Sequence, residues 1–238
     1  MDLVSQSLEI NMLEKVFKIT PSGVDYALKC KRCLWLSKKG IKLDVFFPPI
    51  FNAFDLIQKK FLINQSVKLM SKNLPDGRIM TELGGFIASS TLKDKKERPF
   101  IIRGKTDVVI EFDATPKKYG IIDLKTTNIN PSKIENYKFQ LESYATIFQN
   151  PNSKTPKFSN IEELGLYLFE PKEITSISNE TCNMNFETLY LKGNRCHEEL
   201  INRITEIIDI YSMKKPPDYN SACSSCKFVT SLKKAKYI

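Results

Sequence analysis

Apolar positions recur along this chain with two periods, and each change of period marks an element. Between Ile50 and about Met70, the residues Phe51, Phe54, Ile57, Phe61, Leu62 and Val67 repeat close to the helical period. A second helix is expected from Pro21 to Lys31, with Thr20 as cap and Pro21 at the first helical position. A third begins near Ser132 and buries Phe139, Leu141, Ala145 and Phe148. A long fourth runs from Phe186 to about Met213, weakened in its first third by Gly193. Strand-like runs lie between these helices. Phe100-Ile101-Ile102, Val108-Val109-Ile110 and Tyr119-Gly120-Ile121-Ile122 are short, apolar and β-branched. Asp113 to Lys118, with Pro116 inside, reads as the turn of a hairpin. Leu164 to Phe169 reads as a strand buried on both faces, Glu173 to Ser178 as an edge strand, and Gly84 to Leu92 as the first strand of the sheet. Residues 40–49, 71–82 and 150–160 read as loops, and Leu8, Met12, Leu13 and Val16 as a short amphipathic turn.

The hairpin carries the chemistry. Side chains two apart on a strand share a face, so Asp123 and Lys125 point the same way, and pairing across the turn brings Asp107 near Asp123. Two neighbouring carboxylates repel unless a cation stands between them. Mg²⁺ or Mn²⁺ takes oxygen ligands and keeps water for a substrate phosphate, so Asp107 and Asp123 are candidate metal ligands. Lys125 would assist the nucleophile, and losing one such donor costs on the order of 10²–10³ in rate. Taken alone, an Asp-x-Lys is an ordinary surface salt bridge.

The 238 residues suffice for one domain, with 42% hydrophobic and 26% charged side chains as in globular proteins. Thirty-six basic residues against 27 acidic ones leave a formal charge of +9, a balance suited to a polyanionic partner. No run of about 18 apolar residues suggests a membrane span. The opening Met1-Asp2-Leu3-Val4-Ser5 lacks a secretory pattern, so an intracellular location is expected. In that compartment the six cysteines read as free or metal-bound. Cys30-x-x-Cys33 and Cys223-x-x-Cys226 bracket the hairpin region and together supply four thiolates for zinc or an iron–sulfur cluster. Structural zinc in finger peptides binds with roughly 10–16 kcal/mol. A disulfide contributes about 2–4 kcal/mol. Leu34-Trp35-Leu36 is expected to bury beside these cysteines, Cys182 and Cys196 to pack as ordinary residues, and His197 to lie on the surface without a role.

Gly104-x-x-Asp107, then Asp123-Leu124-Lys125-Thr126, then Gln140-x-x-x-Tyr144 resembles the PD-(D/E)XK nuclease superfamily, in particular its RecB-like branch and the RecB-like CRISPR-associated nucleases. The cysteine-bearing ends are also similar to those of an uncharacterised bacterial group of predicted nucleases of this superfamily. The resemblance implies an α/β fold, a restriction-endonuclease-like core with a small mixed central sheet flanked by helices. Residues 1–238 would form one domain, with a catalytic core at 50–180, a helix at 185–213, and cysteine-bearing segments at 20–49 and 214–230. It implies Mg²⁺- or Mn²⁺-dependent hydrolysis of DNA, exonucleolytic or directed to single strands, in repair, recombination or defence. Asp107, Asp123 and the Leu124 carbonyl would hold metal, while Gln140 and Tyr144 would contact the nucleic-acid backbone. The branch usually places a histidine or glutamate on the upstream helix. This chain has no histidine before Asp107, and Asp55 or Glu82 would stand in. The branch often carries a [4Fe–4S] cluster, commonly with one cysteine before the core and three after; the two-and-two layout here leaves zinc as the alternative. A rival reading is a non-catalytic DNA-binding or scaffold module that keeps the nuclease fold, consistent with the missing histidine.

Overall fold

The computed structural model describes residues 16–41, 48–80 and 85–235. Glu82, residues 1–15 and the segment 42–47 lie outside the described residues. Strand β1 (Phe17–Ile19) leads into α1 (Pro21–Ala27) and α2 (Lys31–Lys38). Helix α3 (Pro49–Leu62) starts on a proline at its first turn, where the missing N–H costs nothing. Short strands β2 (Gly77–Ile79), β3 (Ile87–Ala88) and β4 (Leu92–Lys93) follow, then β5 (Pro99–Gly104). The expected hairpin is β6 (Val108–Phe112) and β7 (Lys118–Thr126). Helix α4 (Lys133–Gln149), strands β8 (Ile161–Ser178) and β9 (Thr181–Gly193), and helices α5 (His197–Ser212) and α6 (Ser224–Lys234) complete the chain.

Two sheets result. β5 pairs with β1 in parallel and with β3 and β4 antiparallel, while the larger sheet has the order β2-β6-β7-β8-β9. β7 and β8 run parallel, with α4 as the crossover between them, so β7 stands at the centre of a mixed sheet. One face of that sheet presents Val109, Ile121, Leu164, Leu166 and Leu168 to α4 and α5. The other presents Val108, Ile110, Ile122 and Leu124 to Leu62, Val67 and Met70. Both faces of β7 are therefore buried, which accounts for its nearly unbroken apolar run.

Several expectations are corrected. Residues 181–193 are a strand, not the start of a long helix: Leu189 and Leu191 pair with Leu168 and Leu166 of β8, and tertiary pairing overrides local propensity. Gly193 ends the strand where Ile134 and Leu141 close in, at 3.3 and 3.4 Å from where a Cβ would stand. Glu173 to Ser178 is no separate edge strand but the outer half of β8, which with β9 stands out as an exposed arm carrying the exposed Cys182. The first strand expected from Gly84 is only the short β3 and β4, and both belong to the smaller sheet. Gly77–Ile79, expected as loop, pairs with β6. Leu34-Trp35-Leu36 forms part of α2 and stays partly exposed, with the Trp35 indole N–H donating to the Met213 carbonyl at 2.9 Å.

Candidate active site

The register of the β6–β7 hairpin builds the site. Val108 lies opposite Ile122 in the antiparallel ladder, and continuing that register sets Asp107 against Asp123. Asp123 and Lys125 fall on the same face as Ile121, beneath α4. Asp123 is 2% exposed. Its Oδ1 accepts from Gln140 Nε2 at 2.7 Å, and its Oδ2 ion-pairs with the Lys125 ammonium but receives no aligned hydrogen bond. Asp107 accepts from the Leu124 backbone N–H at 3.0 Å through Oδ2, and its Oδ1 lies 2.7 Å from Lys59 Nζ. Helix α3 closes the site from the side, with Gln58 Nε2 donating to Thr126 Oγ1 at 3.0 Å. Between these elements lies a cleft of about 500 Å³, lined among others by Asp55, Asp107, Leu124, Lys125, Tyr137 and Gln140.

The charges are strained in a way that fits a cation. Burial pushes the Asp123 carboxyl well above its usual range; Lys125 pulls it down, and the neighbouring Asp107 raises it again. Burial alone would lower the Lys125 ammonium, yet Asp123 and Asp107 outweigh that and hold it up at about 12. Lys125 therefore stays protonated, and the unmet demand lies on the carboxylates. Asp107 and the incompletely satisfied Asp123 offer the hard oxygen ligands that Mg²⁺ or Mn²⁺ takes. Leu124, whose carbonyl is the third expected ligand, lines the same cleft.

Gln140 lines this cleft and Tyr144 packs beside Gly104, under the site. Both are buried, and their polar ends are spent inside the protein: the Gln140 amide on Asp123, and the Tyr144 hydroxyl on the Lys105 carbonyl at 2.6 Å. Gly104 belongs to the same arrangement. A Cβ there would stand 2.7 Å from Pro21 Cδ and 3.3 Å from Tyr144 Cε1, so glycine lets β5 pass against the Pro21 ring, with Tyr144 close by. Asp25 on α1 adds a contact that the sequence did not flag. Its Oδ2 accepts the Gln140 backbone N–H at 3.0 Å, and burial pushes its carboxyl up to about 6. Asp55, the expected stand-in acid, lines the same cleft, and both its oxygens hold Lys59 Nζ, at 2.8 and 2.9 Å. Lys59 itself was missed. Its only signal was its place four residues after Asp55, which reads as a surface ion pair. His197 is half exposed, 3.7 Å from Glu142 and far along the chain from these motifs.

The four cysteines of the two pairs meet although 190 residues separate Cys33 from Cys223. Sγ atoms of Cys30 and Cys226, and of Cys33 and Cys223, lie 3.6 Å apart, and all four sulfurs fall within 4.8 Å of one another. Burial pushes the Cys30 and Cys33 thiols up, whereas the Cys226 backbone N–H draws Cys223 down to about 6. Four sulfurs this close ionise together only around a cation, so the group fits a metal.

A family model described as the PD-(D/E)XK nuclease superfamily matches residues 64–231. The chain belongs to the PD-(D/E)XK nuclease superfamily. Membership implies metal-dependent hydrolysis of phosphodiester bonds, with nucleic acid as substrate. The match takes in Asp107, Asp123, Lys125, Gln140 and Tyr144, while Cys30, Cys33, Asp55 and Lys59 precede it. The crystal structure of SSO0001 is similar in fold, with a TM-score of 0.51 over 96% of this chain and 95% of that one at 13% identity. No curated protein matches the chain. Among the described residues no helix is long and apolar enough to cross a membrane.

Proposed function

We propose that this superfamily member is a Mg²⁺- or Mn²⁺-dependent deoxyribonuclease of the RecB-like kind, cutting single strands or ends in repair, recombination or defence. The observation that carries the reading is the meeting of Asp107, Asp123 and Lys125 on facing positions of paired strands, with Asp107 and Lys125 lining the cleft and Asp123 buried behind them. A divalent ion held by Asp107 and Asp123, with the Leu124 carbonyl, would supply Lewis-acid charge at the scissile phosphate. The protein's own groups do the rest. Lys125, protonated and anchored on Asp123, stabilises charge as it builds on phosphorus. Gln140 holds Asp123 in place, Tyr144 fixes Lys105 two residues before Asp107, and both act as positioning residues. Tyr137, whose ring centroid lies 5.0 Å from Lys125 Nζ, and Phe51 line the cleft with aromatic surface on which unpaired bases can stack. That surface supports the single-strand preference.

The sulfur spacing favours zinc over the [4Fe–4S] cluster for the cysteine centre. One tetrahedral ion with bonds of about 2.3 Å sets its sulfurs about 3.8 Å apart, close to the 3.6 Å contacts found. In a cubane each thiolate binds a separate iron, which drives the sulfurs further apart. Incubation with labelled single- and double-stranded DNA plus Mn²⁺ tests the main reading. Single-strand cleavage lost in Asp107→Ala and Lys125→Ala is expected; binding without cleavage by the wild type would leave only a DNA-binding module. Metal analysis of the purified chain should find one zinc and no visible iron–sulfur absorbance.

A further inference from the structure

We propose that Lys59 is a built-in cation filling the place of a second metal ion, so that the active site takes one divalent ion only. The proposal rests on the nuclease reading above and adds the ion count to it.

Three carboxylate oxygens surround the Lys59 ammonium: Asp107 Oδ1 at 2.7 Å and the two Asp55 oxygens at 2.8 and 2.9 Å. This is the oxygen-rich setting that a hard divalent ion also seeks, shared through Asp107 with the Asp123 side of the site. The side chain is no passing surface pair, being only 10% exposed and seated between α3 and the head of β6. The bookkeeping of charge points the same way. Asp55, Asp107 and Asp123 against Lys59 and Lys125 leave one net negative charge. One divalent ion and one phosphodiester then bring the site to neutrality. A second divalent ion would leave an excess of two positive charges in a partly buried cleft, at a high desolvation cost. Asp55 therefore acts through Lys59: it holds the ammonium against Asp107 and is not itself a ligand.

Mn²⁺ titration of the full-length chain, followed by electron paramagnetic resonance, counts the ions without recourse to activity, since zinc at the cysteine centre is silent. The wild type is expected to bind one Mn²⁺ per chain with no signature of coupled spins. Lys59→Ala uncovers the Asp55 and Asp107 oxygens and is expected to bind two coupled ions. Asp55→Asn combined with Lys59→Ala should return the count to one. Two ions in the wild type, or one uncoupled ion in Lys59→Ala, would overturn the proposal. Should Lys59→Ala fail to fold, the wild-type count decides alone. No Mn²⁺ bound to the wild type would overturn the nuclease reading as well, which separates the two failures.

Discussion

Replacing Gln140 with methionine removes one donor from Asp123 while keeping an unbranched side chain of the same length in the α4 interface. Asp123 Oδ1 then loses its 2.7 Å partner at a site 2% exposed, and no water can readily replace it. Hydrogen bonds to charged groups contribute about 1.5–3 kcal/mol. That loss need not fall on folding. Burial already holds the Asp123 carboxyl above its usual range, so the ligand-free variant can relieve the deficit by keeping a proton. Metal binding requires the ionised carboxylate and bears the cost instead. At about 1.4 kcal/mol per tenfold change, Mn²⁺ affinity at pH 8 should weaken by about 10- to 150-fold. The melting temperature should move little, and at saturating Mn²⁺ the KM for single-stranded DNA should stay near its wild-type value. Calorimetric Mn²⁺ titration and initial cleavage rates measure the two quantities separately. Unchanged Mn²⁺ affinity with a raised KM would refute the reasoning, because it would mean that Gln140 leaves Asp123 and touches the nucleic acid.

Arg195→Met should destabilise the fold by about 3 kcal/mol in urea unfolding, since it leaves the fully buried Glu142 carboxylate, which Arg195 grips through two 2.8 Å bonds, with the Cys196 backbone N–H as its remaining hydrogen bond. Cys226→Ser should abolish metal binding at the cysteine centre, read as bound metal per chain, and expose α2 and α6 to protease. The core around β7 and α4 should persist, because Cys226 is no part of it. Asp25 predicts a pH effect of opposite sign to that of an ion-paired acid. Its carboxyl titrates near 6 in the fold and 3.8 outside it, so the folded state holds the extra proton and stability falls as pH rises through that window. The shift amounts to about 3 kcal/mol, or about 1–2 after solvent screening. Asp25→Asn should remove that fall, so the stability of the variant relative to wild type should climb between pH 4 and 6. A constant difference across that range would overturn the assignment.

What was legible in the sequence was local. The turn between Phe112 and Lys118, the apolar run of β7 with Asp123 and Lys125 on one face, and the spacing of each Cys-x-x-Cys are properties of a few neighbouring residues, and each appears where the pattern placed it. What stayed hidden depends on which way a segment faces. Residues 186–192 carry apolar side chains that suit a helix as well as a strand, and only the pairing of β9 with β8 decides between them. Gln140 and Tyr144 were found from their spacing after Lys125, yet whether their polar ends meet a ligand or the protein depends on Asp123 and Lys105, residues that α4 meets only in the fold. Lys59 is the sharpest instance. By sequence it is one half of an i,i+4 ion pair with Asp55, a pattern usually solvated and worth a few tenths of a kcal/mol. Asp107, 48 residues further on, makes it a third partner in a buried cluster and turns a surface ornament into part of the site. Local pattern located the candidate acids Asp107 and Asp123; the lysine that pairs with Asp107 came from a different element, and no period in the chain encodes that meeting.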